Sequence, residues 1–197
     1  MESSRDAILA AVRRCQVQPA EHPDTFRQGI VYPDRAAQFG ESLSTVGGRL
    51  IIAEDASSAH MQLADLPVVI NATKICSLFP AVIEPNVDLD AVDDPHELES
   101  IDLAVLPGEL AVAENAAVWF SGVRLHHRVL PFITQHLILI VPAGNVLNNM
   151  HEAYERLQFQ ETGFGVFISG PSKTADIEQS LVIGAHGPRS LVVVLLG

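Results

Sequence analysis

The sequence is poor in cysteine, in basic residues and in aromatic rings, and it has no long apolar run. Two cysteines, Cys15 and Cys76, stand far apart in a chain of 197 residues. They are too few to ligate an iron–sulfur cluster or a zinc ion by themselves and give no disulfide framework, which fits a reducing cytosol. Twelve Lys and Arg stand against 24 Asp and Glu, a formal net charge of −12. That balance argues against nucleic acid or an anionic membrane as a main partner, because both need basic surface. No apolar stretch approaches the ~20 residues of a membrane helix, so no membrane insertion is expected. The first residues, MESSRDAILAAVRRC, mix charges of both signs into a helical pattern and do not read as a signal peptide. What is present is 48% hydrophobic and 18% charged, the composition of a folded, soluble, cytoplasmic protein with one domain over 1–197.

Taken in order, Ser3 or Ser4 caps a helix with Ile8, Leu9 and Val12 on one side, and polar, proline-containing sequence follows, so 1–33 reads as an N-terminal helix and linker. Asp34 caps a second helix through Phe39, Leu43 and Val46, ended by Gly47-Gly48. Strand Leu50–Ala53, helix Ser57–Leu66 and strand Val68–Asn71 then alternate at the short spacing of a parallel α/β sheet. Further strands are expected at 103–106, 110–113, 117–120, 137–141, 166–168 and 191–196, with a helix over 145–157 carrying Val146, Met150, Ala153 and Leu157. The run Val166-Phe167-Ile168 reads as a strand buried on both faces.

Between Glu84 and Asp102 there are eight acidic residues and no Lys or Arg. Asp88, Asp90 and Glu99 match the first, third and twelfth positions of a calcium loop. Val92 at the fifth and Asp93 in place of the turn glycine break the pattern, so 84–102 reads as an acidic surface loop. None of the eight histidines makes a metal-ligand pair: His126 and His127 are adjacent and point apart on any regular element, and His136 at a strand entrance reads as structural. No metal site is expected.

The most informative stretch is FGVFISGPSKTADIEQSLVIGAHGPR, from Phe164 to Arg189. A strand stops at Gly170-Pro171, a loop with Ser169, Ser172, Lys173 and Thr174 follows, and Thr174 or Ser172 caps a short helix with Asp176 in its first turn. Strand, glycine turn and helix N-terminus would place backbone N–H groups beside hydroxyls and a lysine, an anion cradle. The alternative is a turn capped by its own side chains. Arg189, after a Gly-Pro turn, would point back to an anion or pair with an acidic neighbour. On a helical wheel Glu178 falls amid Leu181, Ile177 and Val182, where a carboxylate has to be paired, hydrogen-bonded or protonated; the alternative is that a helix of two or three turns is too short for the wheel and Glu178 reaches solvent.

Ser169-Gly170-Pro171-Ser172, Thr174-Ala175-Asp176-Ile177-Glu178 and His186-Gly187-Pro188-Arg189 together resemble the C-terminal signature of the lactate utilisation protein C family, the LUD-domain proteins. The resemblance is weaker over 103–157. One departure lies at Glu114, which many members follow with Thr-Gly-Thr and this chain with Asn115-Ala116-Ala117. The resemblance implies a NagB/RpiA/CoA-transferase-like fold, a three-layer α/β/α sandwich with a mixed, largely parallel sheet. It also implies a cluster-free subunit of a bacterial system oxidising L-lactate to pyruvate, with the iron–sulfur clusters carried by two partner proteins. In that reading the loops bind a small anion or a partner through Ser169, Gly170, Ser172, Lys173, Thr174, Asp176 and Arg189. The catalytic candidates are Glu114, Glu178 and His186. A stand-alone enzyme acting on a small carboxylate, CoA ester or sugar phosphate, or a non-catalytic scaffold, are the other readings.

Overall fold

The computed structural model describes residues 3–15, 21, 29–122, 125–157, 163–174, 182–183 and 186–197. At its centre lies a five-stranded sheet in the order β1 (Arg49–Ala53), β11 (Ser190–Leu196), β6 (His136–Pro142), β3 (Leu103–Pro107), β2 (Ile75–Ser77), with every neighbouring pair parallel. The runs that read as continuous apolar segments in the sequence are its inner strands. Alternate residues of β6 and β11 go to opposite faces, as the two-residue period of a strand requires. Leu137, Leu139, Leu191 and Val193 enter one core cluster, whereas Ile138, Ile140, Val192 and Val194 enter the other.

Helices cover both faces. α2 (Arg35–Thr45) places Phe39 and Leu43 on the first, and α3 (Ala56–Ala64) places Ala59 and Leu63 on the second. This is the expected α/β/α sandwich. The first starts at its expected cap, with Asp34 Oδ1 accepting the Ala37 amide at 2.9 Å, and the second is capped by Asp55, which makes a reciprocal capping box with Ser58. Gly47 ends α2 with φ +86°. On the α2 side lies a second, four-stranded sheet, in the order β7 (Val146–Leu147), β4 (Leu110–Val112), β5 (Ala117–Ser121), β8 (Gly165–Ile168). Its inner face gives Ala111, Val118 and Phe120 to the shared core, and α6 (Met150–Arg156) covers its outer face through Ala153.

Several expectations change. Val68–Asn71 is not a strand: Pro67 at the first helical position starts a single turn, α4 (Pro67–Ile70), and the edge strand is β2 instead. The expected helix over 145–157 is split. Val146 and Leu147 pair with β4, and the helix begins only after Asn149 accepts the Glu152 amide at 3.1 Å. Val166, Phe167 and Ile168 are half-buried because β8 is the edge of its sheet. The short helix expected after Thr174 lies outside the described residues, and Thr174 itself is in an extended segment, β9 (Lys173–Thr174), which pairs antiparallel with β10 (Val182–Ile183). The acidic segment is pinned from beneath: 3-10 turns at Leu89–Ala91 and Pro95–Ser100 are capped by Asp88 and Asp94, and Leu98 and Ile101 are buried. A further helical turn, α5 (Leu130–Ile133), lies where the sequence suggested none. α1 (Ser4–Arg14), capped by Ser3, forms as expected but has no buried residue.

Candidate functional site

Because the five central strands run parallel, the residues just before them gather along one edge of the sheet. Main-chain bonds knit these entrances together: Arg189 N donates to Gln135 O at 2.8 Å, His136 N to Asp102 O at 2.9 Å, and Asp102 N to Lys74 O at 3.0 Å. A cavity of about 630 Å³ opens over this edge, with Asn71, Ser100, Asp102, Gln135, His136 and Arg189 in its wall.

The charges there are fixed by specific contacts. Asp102 Oδ2 accepts three hydrogen bonds, from Thr73 Oγ1 at 2.6 Å, Thr73 N at 2.8 Å and Lys74 N at 2.9 Å. Led by the Thr73 hydroxyl, these donors hold its pKa below the ordinary carboxylate value. His136 Nδ1 meets Ser190 Oγ at 2.8 Å. Burial, and then the positive charge of Arg189, lower the His136 pKa, with Asp102 opposing. The wall therefore carries the Arg189 guanidinium, an uncharged His136 imidazole at neutral pH, the Asp102 carboxylate whose charge is already satisfied by donors, and the Glu99 side chain at its rim. A guanidinium fork beside an uncharged ring can take a carboxylate through two parallel bonds and leave the ring for a neighbouring hydroxyl or carbonyl.

The loop singled out in the sequence lies at the same end of the sheet, since it leads into β11. Ser172 N donates to Pro188 O at 2.8 Å, joining the Ser-Gly-Pro-Ser and His-Gly-Pro-Arg segments. Ser169 Oγ donates to Asn115 O at 2.8 Å, so the turn after Glu114 comes to the same place. Gly170 has φ +75°, and a Cβ there would stand 2.6 Å from Val46 O. Only glycine fits between this loop and the end of α2. The cradle is partly consumed by its own contacts, because the Ser172 amide is already used and Lys173 and Thr174 pair in a strand. Lys173 and His186 are exposed, and Asp176 and Glu178 lie outside the described residues. Of the sequence candidates among the described residues, Arg189 is the one that lines the cavity. Glu114 does not line it, and its Oε1 accepts the Met150 amide at 2.8 Å, at the start of α6.

The sequence alone does not single out Asp102, Gln135 and His136 as site residues. The signal was present, since each stands within two residues of the start of an apolar run, as Arg189 does. Joining them required the strand order. A second cavity of about 480 Å³ lies at the opposite, carboxyl end of the strands, with Pro107, Gly108, Glu109, Pro142 and Asn145 in its wall. None of the sequence candidates among the described residues lines it.

The chain matches the LUD domain family over residues 70–196. It is 32% identical over 114 residues to a lactate utilization protein C from Shouchella clausii, an overlap of 53% of this chain and 49% of that protein. The chain thus spans about half the length of that relative. A lactate utilization protein C from Geobacillus thermodenitrificans is 26% identical over 207 residues, 98% of this chain and 80% of its own length. Among solved structures, a DUF162 family protein from Deinococcus radiodurans superposes with a TM-score of 0.64, covering 83% of this chain and 99% of that one at 17% identity. That likeness supports the fold.

Proposed function

The chain belongs to the LUD domain family, and from that membership we propose that it is the cluster-free component of a bacterial lactate-utilisation system that binds a small carboxylate at the amino edge of its central sheet. The observation that carries this reading is the placement of Arg189. Its amide is fixed to Gln135 O at 2.8 Å, and its side chain shares a cavity of about 630 Å³ with His136, whose charge is suppressed. A 2-hydroxy or 2-oxo acid presents the chemistry this wall suits: a carboxylate for the guanidinium and an adjacent oxygen for the imidazole. The names of the relatives make lactate or pyruvate the first ligands to try. With two cysteines in the chain, electron transfer falls to iron–sulfur partner proteins, and this component contributes binding.

Isothermal calorimetry with L-lactate, pyruvate, phosphate and coenzyme A tests it on wild type, Arg189→Ala and Lys173→Ala. The expectation is that a 2-hydroxy or 2-oxo acid binds, Arg189→Ala abolishes binding, and Lys173→Ala leaves it little changed. If no carboxylate binds, or if Arg189→Ala binds as well as wild type, the reading fails. Affinity purification from the native host tests the partner claim separately.

A further inference from the structure

α1 is eleven residues long and buries nothing. An isolated helix of that length is marginal in water, because helices in proteins draw most of their stability from packing an apolar face. Yet α1 has such a face. Taking 100° per residue, Ile8, Val12 and Leu9 fall within one stripe, with Arg5 inside its span and Arg13 on its border. Ile8 and Val12 are 63% and 59% exposed. Arg5 and Arg13 have no ion-pair partner among the described residues. Residues 3–15 carry three Arg and one Asp, whereas the whole chain is at −12, so the helix is a basic element on an acidic protein.

The complementary surface is on the same chain. A groove of about 520 Å³ runs beside β2, the edge strand of the central sheet. Leu78, Pro85, Val87 and Leu89 form its apolar wall and Asp88 and Asp90 its acidic rim. Asn86 fixes it in place: its Oδ1 accepts Ile75 N and its Nδ2 donates to Thr73 O, both at 2.7 Å. The groove thus offers what α1 lacks, apolar contact flanked by carboxylates, within the segment that has eight acidic residues and no Lys or Arg.

We propose that α1 of one molecule docks in the Leu78–Asp90 groove of a second copy. The stretch between Cys15 and Gly29 spans up to about 45 Å when extended, enough to reach a neighbouring molecule. Reciprocal exchange of two helices into two grooves closes a two-fold dimer with no unsatisfied end. Ile8, Leu9 and Val12 supply the apolar contact, and Arg5 and Arg13 meet Asp88 and Asp90 at the rim.

Sedimentation equilibrium of the full chain over a wide concentration range, at low and high salt, tests this. Wild type is expected to dimerise reversibly, less tightly in high salt because rim pairs are screened. Ile8→Asp with Val12→Asp is expected to be monomeric, with the domain intact because α1 buries nothing in it. Arg13→Asp should weaken dimerisation about fivefold, and adding Asp90→Arg to the same chain should restore most of the loss. A wild type that stays monomeric, whether its helix is free or folded onto its own domain, overturns the proposal. So does a dimer that survives the Ile8/Val12 change, or one that the reversed pair fails to restore.

Discussion

Glu114 and Met150 are joined by a 2.8 Å hydrogen bond from the Met150 amide to the Glu114 carboxylate, 36 positions apart in the chain. Met150 is the first residue of α6, whose amide has no partner within the helix, so Glu114 caps α6 from another element. This assigns a structural task to a residue that the sequence offered as a catalytic candidate. Glu114→Ala is expected to lower stability by about 1–2 kcal/mol, and Glu114→Gln, which keeps an acceptor oxygen, by less. Chemical denaturation checks the order. Equal losses for the two changes would show that the amide contact is not what Glu114 provides.

Two residues further on, Ala116 is fully buried with φ +57°. An L-residue in this left-handed region is strained by roughly 1–2 kcal/mol, whereas glycine is not. Ala116→Gly relieves the strain but loses a buried methyl and loosens the unfolded chain, so the expected net gain is below about 1 kcal/mol. Ala116→Val has no offsetting gain and should cost about 2–3 kcal/mol. Thermal melts of the pair check this. A Gly variant less stable than wild type would mean that methyl packing outweighs the strain.

How legible these features were depends on how far apart their parts lie. The inner strands were plain because Leu137–Val141 and Leu191–Leu196 are buried from both sides, and a cap such as Asp34 is local. Pro67-Val68-Val69-Ile70 misled because a four-residue apolar run has no period that separates a strand from a helical turn. Val146 and Leu147 misled because their spacing to Met150 and Ala153 suits a helix, while the Asn149 cap restarts the structure between them. The Ser-Gly-Pro-Ser loop could be found from one contiguous motif. The cavity could not, because Asp102, His136 and Arg189 become neighbours only through the pairing of β3, β6 and β11.

His136 and His96 are shifted in opposite directions, and pH separates them. The native His136 pKa lies below 6.5, so as pH falls the unfolded chain takes up that proton first. Its contribution to stability is intact above 6.5 and is lost progressively from there down to its native value. His96 is raised by its 2.7 Å contact with Asp94, so its contribution holds below 6.5 and fades as pH rises through its native value. In an NMR titration His136 is expected to have a midpoint below 6.5 and His96 one above it. Arg189→Ala should move the His136 midpoint up, since Arg189 is one cause of its depression. An unmoved midpoint would place the guanidinium away from the ring and count against the proposed carboxylate site.

The two thiols differ as well. Cys76 is buried in the central sheet, and burial pushes its pKa up to about 11, whereas Cys15 is exposed on the end of α1. Thiolate is the reactive form, so a disulfide reagent at pH 8 is expected to modify Cys15 rapidly and Cys76 only after denaturation. Titration of free thiols before and after adding denaturant gives the count directly. Two fast equivalents in the native protein would mean that the β2 edge opens readily.

Gly170 tests whether the Ser-Gly-Pro-Ser loop is held by backbone fit or by the chemistry of its side chains. Any Cβ there would lie 2.6 Å from Val46 O and 3.0 Å from Val46 Cγ2, at φ +75°. The carbonyl belongs to the end of α2 and cannot swing away as a flexible side chain would. Gly170→Ala is therefore expected to cost about 2–3 kcal/mol, from left-handed strain together with overpacking. Gly144→Ala, where a Cβ meets nothing within 4 Å, is the matched control and should be close to neutral. The damage should also be local: displacing the loop breaks the bond from Ser172 N to Pro188 O, so hydrogen exchange at the Ser172 amide should accelerate more than at the amides of β6. Since Pro188 precedes Arg189, the same displacement should weaken carboxylate binding even at temperatures where the variant is fully folded. A Gly170→Ala protein that binds as wild type does would separate the loop from the cavity and leave Arg189 to be positioned by Gln135 alone.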